Sequence, residues 1–324
     1  MPKVSVITGY YNRGEHLERT ILSVLNQTYR DLELIVFDDA SPDDSANRLK
    51  EIASRLSDPR LKVVLHERNK GFVQGMIDAI AMSSGEYVAV QGSGDISLPT
   101  RIEKQAAVLD ASPEIGLVGC WYTNVETETN ARRLRQPNAD AMDFEALMKN
   151  NAFSHGEVMY RRSAYDAVGG YRAAFRNSQD IDLWLRMVKV TKMSTIPENL
   201  YDRYIRFDGV TYDPLKFPIA TRYSMITRKV ARAAPDEAEE MIAKLKSEGP
   251  ASIILKSDKD FQKRIRVAAA RSLVWGNVEA FHQLVADQIS SPVEQRLLLI
   301  LGKIFSSPPA APLRKVVRAY LGIT

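Results

Sequence analysis

The first hundred residues alternate short apolar runs with amphipathic segments, and this alternation constrains the fold more than any other feature of the chain. Strands are indicated within the segments KVSVITGYYN, LELIVFDDASPDD, RLKVVLHE and EYVAVQG, which contain runs of apolar and β-branched residues. Between them, apolar residues recur at helical spacing, as Ile21, Leu22 and Leu25 do. The β-α-β-α-β-α-β order predicts a parallel sheet covered by helices on both faces. Ligands of such sheets bind at the carboxyl ends of the strands, where the loops converge.

The composition is that of an ordinary globular protein. The 324 residues are 45% hydrophobic and 26% charged, enough for one large domain or two smaller ones. No apolar stretch approaches the roughly 18 residues that a membrane span needs, and we expect no signal peptide because the first residues read directly into a predicted strand. The single cysteine, Cys120, excludes an internal disulfide and is expected in the core of a cytoplasmic protein. A net charge of +4 suits anionic small molecules, a membrane surface or nucleic acid.

The pattern of strands and helices changes after Pro99. A predicted helix over 102–109 leads to an apolar strand around Cys120, and SQDIDLWLRMVKV predicts a helix with acids in its first turn. In the last third of the chain, helical segments dominate. We therefore expect an α/β domain over residues 1–216 and a helical domain over residues 217–324.

Acidic residues follow two of the predicted strands. Asp38 and Asp39 end LELIVFDD, and Asp95 lies beyond YVAV. A carboxylate accepts hydrogen bonds from the N–H groups of a nucleobase, and a nearby aromatic ring offers a stacking face. The alternative is that residues 39–43, Asp-Ala-Ser-Pro-Asp, merely form an Asx-type turn that closes the strand. We favour ligand binding, because two consecutive acids stand at the edge of the sheet where ligands are expected.

Several segments, in order, resemble a known family. Residues 4–45 read VSVITGYYNRGEHLERTILSVLNQTYRDLELIVFDDASPDDS, and residues 169–186 read GGYRAAFRNSQDIDLWLR. Over roughly residues 3–212 the chain resembles family 2 glycosyltransferases of the GT-A fold. The resemblance implies one Rossmann-type mixed sheet flanked by helices. It also implies inverting transfer of a sugar from a UDP- or GDP-sugar to a hydroxyl of a polysaccharide or lipid-linked glycan.

The resemblance assigns a nucleotide site as well. In the family, the loop after the first strand and the acidic end of the second strand hold the base of the nucleotide sugar. The residues of this chain that match those positions are Thr8, Gly9, Tyr10, Tyr11, Asp38 and Asp39.

The stretch VAVQGSGDISLP, residues 88–99, departs from the family pattern. The family shows Asp-x-Asp at this strand end, and the second acid ligates a divalent cation that stabilises the leaving diphosphate. In this chain the two acidic positions are Gly92 and Gly94, while Asp95 remains. Glycine has no side chain that could ligate a metal. The resemblance therefore implies weak or absent dependence on Mg²⁺ or Mn²⁺.

Three explanations of this departure stay open. Asp95 could hold the metal, with water in the missing positions. Cationic side chains such as Arg203 or Arg206 could stabilise the leaving group instead. The site could also be inactive, and the chain would then be a non-catalytic nucleotide-sugar-binding subunit of a glycan assembly complex. In each case the diphosphate is expected at four consecutive residues whose N–H groups can form an anion nest: Gly92, Ser93, Gly94 and Asp95.

The segment NSQDIDLWLR carries the expected catalytic base. Family members place a carboxylate here that takes the proton of the acceptor hydroxyl, and Asp180 matches that position. Gln179 stands where the family most often has Glu, and we expect it on the acceptor side together with His155. The alternative for Asp180 is a helix N-cap, and for His155 a structural role. Asp182 is spaced to pair with Arg186 four residues later.

The C-terminal helices carry Lys and Arg beside apolar faces. One interpretation is a helix docked on anionic lipid at the inner face of the cell membrane. The other, which we favour, is a bundle that packs on the catalytic domain or against a second copy of the chain. The interleaved aromatic and cationic residues of a nucleic-acid site are absent, so we expect no nucleic-acid partner. No G-x-G-x-x-G follows the first strand, which argues against a dinucleotide-dependent oxidoreductase.

Overall fold

The computed structural model describes residues 4–140, 142–205 and 215–312. The chain divides into two compact units, Met1–Ile205 and Arg206–Thr324. All strands of the described residues lie in the first unit, and the described part of the second is helical. Sequence patterning places the boundary near residue 217.

The alternation of strands and helices that the sequence predicts is confirmed in the first part of the first unit. Each of the first three strands is followed by a helix, as expected of parallel strands joined by crossover connections. The elements are β1 (Val4–Tyr10), α1 (Leu17–Leu25), β2 (Leu32–Asp38), α2 (Ser45–Leu56), β3 (Leu61–Leu65), α3 (Phe72–Met82) and β4 (Tyr87–Val90).

Strand β1 lies at the centre of a parallel group. It pairs with β2 on one side and β4 on the other, and β2 pairs in turn with β3. Every residue of β1, β2 and β4 is buried, because helices cover both faces of the sheet. The register sets Tyr10 beside Asp38, so the carboxyl ends of β1 and β2 form one edge. This is the edge at which the sequence predicts a ligand.

The remaining part of the first unit adds shorter helices and antiparallel strands. Its elements are β5 (Ile96–Ser97), α4 (Arg101–Ala111), β6 (Ile115–Glu126), β7 (Arg132–Arg135), α5 (Phe144–Lys149), β8 (Met159–Arg161), α6 (Arg162–Ala167), α7 (Gln179–Met187) and β9 (Lys192–Ile205).

These strands join the parallel group in one mixed sheet. The strand order is β3-β2-β1-β4-β8-β6-β9-β5, with β7 paired to β6. Strand β8 runs antiparallel to both β4 and β6, while β9 is parallel to β6. The α/β class with a single mixed sheet is therefore confirmed. The sequence did not predict β9, because Pro197 interrupts its alternation of apolar and polar residues. In the structure the proline lies where the register between β9 and β6 shifts, between Ile196 and Asn199.

Two glycines of this unit are required by one aromatic ring. A Cβ atom on Gly9 would lie 2.1 Å from the ring of Phe37, and one on Gly75 would lie 2.3 Å from it. Phe37 itself is 1% exposed in β2. Gly9 therefore allows the close packing of β1 and β2, and its role is structural.

The described part of the second unit consists of helices, as the sequence predicts. Buried side chains such as Phe261, Ile265 and Phe281 form its core. The side chains of Asp258, Asn277 and Ser291 cap three of the helices. No helix within the described ranges is long and apolar enough to cross a membrane. The helices are α8 (Phe217–Arg232), α9 (Pro235–Glu248), α10 (Lys259–Val274), α11 (Val278–Gln288) and α12 (Pro292–Ser306).

Candidate active site

Asp38 closes the turn that follows β2. Its Oδ1 accepts a hydrogen bond from the Ser41 hydroxyl at 2.5 Å, and its Oδ2 accepts one from the Ser41 N–H at 2.9 Å. The residue is 2% exposed. Both carboxylate oxygens are thus engaged within the turn. The sequence left open a turn formed by residues 39–43, and here the side chain that closes the turn is that of Asp38.

Asp39 fastens a neighbouring loop to the end of β2. Its Oδ1 accepts a hydrogen bond from the N–H of Lys70, and its Oδ2 accepts one from the N–H of Gly71, both at 2.8 Å. The Nδ1 of His66 lies 2.8 Å from the same Oδ1. Gly71 has φ +86, a left-handed conformation that favours glycine. Asp39 therefore shapes the β3–α3 loop, which forms one wall at the ligand edge.

The residues of β1 assigned to the nucleotide site differ in exposure. Thr8 is fully buried, and Tyr10 is 1% exposed within the main hydrophobic cluster. Burial raises the pKa of Tyr10 to about 12. Together with the packing role of Gly9, this burial leaves almost no side-chain surface of these three residues exposed, and their place in the nucleotide site stays a prediction. Tyr11 is 50% exposed, so it is the aromatic residue here that offers a stacking face.

The carboxylate of Asp95 points into the protein. Its Oδ2 accepts a hydrogen bond from the hydroxyl of Tyr201, and its Oδ1 accepts one from the N–H of Tyr204, both at 2.8 Å. Burial raises the pKa of Asp95, and the positive charges of Arg203 and Arg13 partly offset that shift. Asp95 thus joins the end of β4 to β9.

Gly92 and Gly94 are each required by this packing. A Cβ atom on Gly92 would lie 2.1 Å from Oδ2 of Asp95 and 2.9 Å from the hydroxyl of Tyr201. Gly94 has φ +94, and a Cβ atom there would lie 3.2 Å from the ring of His16. An acid at either position would disturb the loop. The two glycines and the single inward acid are therefore parts of one arrangement.

Three N–H groups of this loop, those of Gly92, Gly94 and Asp95, are used internally. Gly92 donates to the hydroxyl of Tyr201 at 2.9 Å, and Gly94 donates to Oγ1 of Thr20 at 3.1 Å. Asp95 donates to the carbonyl of Gly92 at 3.2 Å. An anion nest needs free N–H groups. The expected nest at these residues is therefore not formed in this structure.

The residues at this strand end do not fit a divalent cation. Mg²⁺ and Mn²⁺ take oxygen ligands, of which carboxylates are the principal protein source. The glycines supply none, and the oxygens of Asp95 already accept hydrogen bonds within the core. Among the residues that the structure describes, no group of three His, Cys, Asp or Glu side chains could hold a metal.

Two arginines that the sequence analysis did not single out lie on the same loop. Nη1 of Arg13 donates to the carbonyl oxygen and the hydroxyl of Ser93, at 3.3 and 3.2 Å. Arg19 donates to the carbonyl oxygen of Gly94 from Nε at 2.9 Å and from Nη2 at 2.6 Å. Both are half-buried. In the sequence they resemble ordinary surface charges, and no spacing distinguishes them.

The cations that the sequence did name are placed differently. Arg203 lies in β9, and its charge acts on the buried carboxylate of Asp95. Arg206 lies outside the described residues.

Asp180 stands in the first turn of α7, where the sequence predicts it. Its Oδ2 accepts a hydrogen bond from Nδ2 of Asn151 at 2.7 Å. No other hydrogen bond to this carboxylate comes from the part of the chain that the structure describes, and the residue is half-buried. Gln179 precedes it as the first, half-buried residue of the helix. Asp180 therefore keeps an oxygen free for a proton or a ligand.

His155 lies close to Asp180. Burial lowers the pKa of His155, and the negative charge of Asp180 opposes that shift. Nε2 of His155 is 2.6 Å from the hydroxyl of Tyr171, and its ring packs against Phe72 and Trp184. The structure thus brings His155 and Asp180 together. It also gives His155 a place in an aromatic cluster.

Asp182 has the structural role that the sequence predicts. Its Oδ2 lies 2.7 Å from Nη2 of Arg186, one helical turn away, and Nη1 of Arg172 lies 3.4 Å from Oδ1. The side chain is 4% exposed. The pairing with Arg186 is confirmed.

A buried polar network connects the two sides of the site. Arg101 is fully buried and donates to Val90, Ser97 and Gln91. Glu157 is fully buried as well, and burial raises its pKa to about 8. Sequence reasoning missed both residues, because Arg and Glu at helix and turn starts are usually exposed.

The fold is similar to that of solved glycosyltransferases. The S. aureus protein TarS in complex with UDP-GlcNAc gives a TM-score of 0.58 at 17% identity, covering 93% of this chain and 89% of that one. The mannosyltransferase PcManGT of Pyrobaculum calidifontis, in complex with GDP-Man and Mn²⁺, gives 0.56 at 16% identity, covering 94% and 87%. These likenesses establish the GT-A type of fold.

Sequence relatives point to the same family. The chain is 38% identical to the glycosyltransferase EpsE of Bacillus subtilis, over 57% of this chain and 66% of EpsE, just under two thirds of that protein. It is 28% identical to WfgD of Escherichia coli, named a UDP-Glc:alpha-D-GlcNAc-diphosphoundecaprenol beta-1,3-glucosyltransferase, over 60% of this chain and 72% of WfgD. The family model "Glycosyl transferase family 2" matches residues 5–169, just over half of the chain. The chain therefore belongs to glycosyl transferase family 2.

Proposed function

We propose that this chain transfers a sugar, with inversion, from a nucleotide-diphosphate sugar to a hydroxyl group of a glycan, with Asp180 as the general base. The observation that carries the proposal is the half-buried carboxylate of Asp180, held by Asn151 through one oxygen and open at the other. A general base needs this combination of fixed orientation and an available lone pair.

In the proposed reaction, Asp180 acts on the acceptor hydroxyl as that hydroxyl attacks the donor sugar. The acceptor oxygen forms a bond to the anomeric carbon on the face opposite the nucleotide, which inverts the configuration. The bond from that carbon to the oxygen of the β-phosphate breaks, and its electron pair stays on the departing diphosphate. The proton of the acceptor hydroxyl passes to Asp180. His155 lies on the same side and contributes to the polarity of the acceptor site.

The donor end of the site is formed by the loops after β1 and β2. Tyr11 supplies an exposed ring for stacking on the nucleobase. Asp38 and Asp39 support the base-binding loops through the hydrogen bonds described above. Structural neighbours in complex with UDP-GlcNAc and GDP-Man support a UDP- or GDP-sugar as the donor.

The acceptor class rests on the relatives. WfgD is named for a sugar linked to diphosphoundecaprenol, which supports a lipid-linked glycan or a growing polysaccharide as the acceptor. A lipid-linked acceptor would bring the protein to the inner face of the cell membrane. The basic C-terminal helices suit either that surface or a contact with a second copy of the chain.

The test measures nucleotide release from a panel of UDP- and GDP-sugars, with undecaprenyl-diphosphate-linked sugars as acceptors. The variant Asp180→Asn is expected to lose at least about 100-fold in kcat while it still binds the donor. Asp166→Asn, an exposed acid on α6, is the matched control and should keep full activity. Equal turnover by wild type and Asp180→Asn would contradict the assignment. Donor binding by the wild type without any turnover would instead identify a non-catalytic binding subunit.

A further inference from the structure

The two arginines on the 92–95 loop have unused hydrogen-bonding capacity. Arg13 engages Ser93 through Nη1 alone, and Arg19 engages Gly94 through Nε and Nη2. A guanidinium carries five N–H donors in a planar fork. Each arginine therefore keeps donors available after it has bound the loop. Within the described ranges, no ion pair joins either guanidinium to a carboxylate, while the charge of Arg13 also acts on the buried carboxylate of Asp95.

Their orientation is fixed from more than one side. The guanidinium of Arg19 lies over the ring of Tyr204, 3.9 Å from its centroid, and Tyr204 donates its N–H to Asp95. Arg13 follows the exposed Tyr11–Asn12 segment, and its backbone N–H donates to the hydroxyl of Ser45 at 3.2 Å. Held arginines bind phosphates well, because little side-chain freedom is lost on binding.

Both arginines contact the loop where family members place a metal-ligating acid, Arg13 at Ser93 and Arg19 at Gly94. That strand end here supplies two glycines and an inward carboxylate that does not fit a cation. A departing diphosphate nevertheless needs positive charge beside it. Arginine supplies such charge together with hydrogen bonds of bidentate geometry.

We propose that Arg13 and Arg19 bind the diphosphate of the donor and stabilise the leaving group in place of a divalent cation. This inference rests on the proposed function, since it concerns the donor of that reaction. When the bond between the anomeric carbon and the β-phosphate oxygen breaks, the additional negative charge falls on that oxygen. The two guanidinium groups receive it through N–H···O contacts, and no metal is required.

The test uses inorganic pyrophosphate as the probe and the full chain as the protein. Pyrophosphate affinity is measured by calorimetry in EDTA and again with Mn²⁺, on wild type, Arg13→Gln and Arg19→Gln. We expect binding in EDTA to be as tight as with Mn²⁺, and each variant to lose about 10-fold in affinity. Arg55→Gln, an exposed arginine of α2 paired with Glu18, is the control and should bind as the wild type does.

Lysine variants separate a charge effect from loss of loop structure. Arg13→Lys and Arg19→Lys keep the charge, so we expect them to recover part of the affinity lost in the glutamine variants. Wild type that binds pyrophosphate only with Mn²⁺, or not at all, overturns the inference. Glutamine variants that bind as the wild type does overturn it too.

The outcome is separable from that of the proposed function. Sugar transfer that depends on Asp180 but ceases in EDTA would leave the function standing and remove the arginine role. Arginine-dependent pyrophosphate binding in a chain that transfers no sugar would leave the diphosphate-binding role of the arginines standing and remove the proposed function.

Discussion

The hydroxyl of Tyr201 donates a hydrogen bond to Oδ2 of Asp95 and accepts one from the N–H of Gly92, at 2.8 and 2.9 Å. This single atom therefore connects β9 to both ends of the loop where the family has its acidic motif. Gly156 also packs closely here, since a Cβ atom on it would lie 2.4 Å from the same hydroxyl. The 92–95 loop and the segment that contains Gly156 therefore share Tyr201 as a common support.

Removal of that hydroxyl is expected to destabilise the first unit. Tyr201→Phe leaves Oδ2 of Asp95 buried without its donor, which costs about 1–3 kcal/mol of unfolding free energy. Urea unfolding followed by circular dichroism measures the change. Tyr11→Phe removes an exposed hydroxyl and should change stability by less than about 0.5 kcal/mol. Equal stability of Tyr201→Phe and wild type would show that the hydrogen bond to Asp95 contributes nothing.

Restoring the acid of the family motif is expected to fail. In Gly92→Asp, the new Cβ atom falls 2.1 Å from Oδ2 of Asp95, and a second carboxylate enters a buried site beside the first. Overpacking and an unpaired buried charge together predict a loss of more than about 3 kcal/mol. Thermal unfolding and the soluble yield report it. Gly249→Ala is the control for substitution at a glycine. Nothing lies within 4 Å of its Cβ position, so only backbone strain of about 1 kcal/mol is expected.

The sequence predicted the architecture well and the environment of individual residues less well. Strands β1 to β4 and helix α2 were predicted because periodicity and turn residues are local signals. Strand β9 was missed, since Pro197 and several polar residues break its alternation. The pairing that stabilises β9 comes from β6, about 80 residues earlier in the chain, and no local pattern records it.

The same distinction applies to the site. Asp180 could be placed from its segment, because a short motif fixes both its helix and its position in the first turn. The inward orientation of Asp95 depends on Tyr201, more than a hundred residues later, so it could not be read from VAVQGSGDISLP. The roles of Arg13 and Arg19 likewise depend on contacts with residues 93–94.

The stability of the protein should fall as the pH rises from about 5 to 8, and Glu157 should account for part of that fall. Burial raises the pKa of Glu157 to about 8, far above the value of an exposed glutamate. In this interval the folded chain keeps a proton that the unfolded chain releases. The free energy of unfolding therefore falls by up to about 1.4 kcal/mol per pH unit. Urea unfolding at pH 5.5 and pH 7.5 measures the slope.

Glu157→Gln provides the comparison for that pH effect. Glutamine keeps an oxygen for the N–H of Ser154 and carries no titratable proton, so its stability should depend less on pH than that of the wild type. Glu128→Gln, an exposed substitution, should leave the slope unchanged. Identical slopes for wild type and Glu157→Gln would mean that the buried carboxylate does not titrate in this interval.

Asp182→Asn should act on stability where Asp180→Asn acts on turnover. Asp182 is nearly fully buried between Arg186 and Arg172. A neutral Asn at this position leaves the largely buried guanidinium of Arg186 without a counter-charge. We expect a loss of about 3–5 kcal/mol of unfolding free energy. For Asp180→Asn, at a half-buried position on the same turn, we expect a loss below about 1 kcal/mol. Chemical unfolding of both variants measures the two losses. A larger loss of stability in Asp180→Asn than in Asp182→Asn would contradict the structural role given to Asp182.

Donor affinity should depend on the ring of Tyr11. Stacking of a nucleobase on an aromatic side chain contributes about 1–3 kcal/mol, so Tyr11→Ala should weaken the binding of UDP or GDP by roughly 10-fold or more. Tyr11→Phe keeps the ring and should bind as the wild type does. Calorimetry with each nucleotide identifies the preferred base and measures both variants. Tyr10→Phe changes a residue of the core, and we expect it to leave the affinity unaltered. Loss of binding in Tyr10→Phe but not in Tyr11→Ala would mean that the nucleotide contacts the end of β1 in a conformation different from this one.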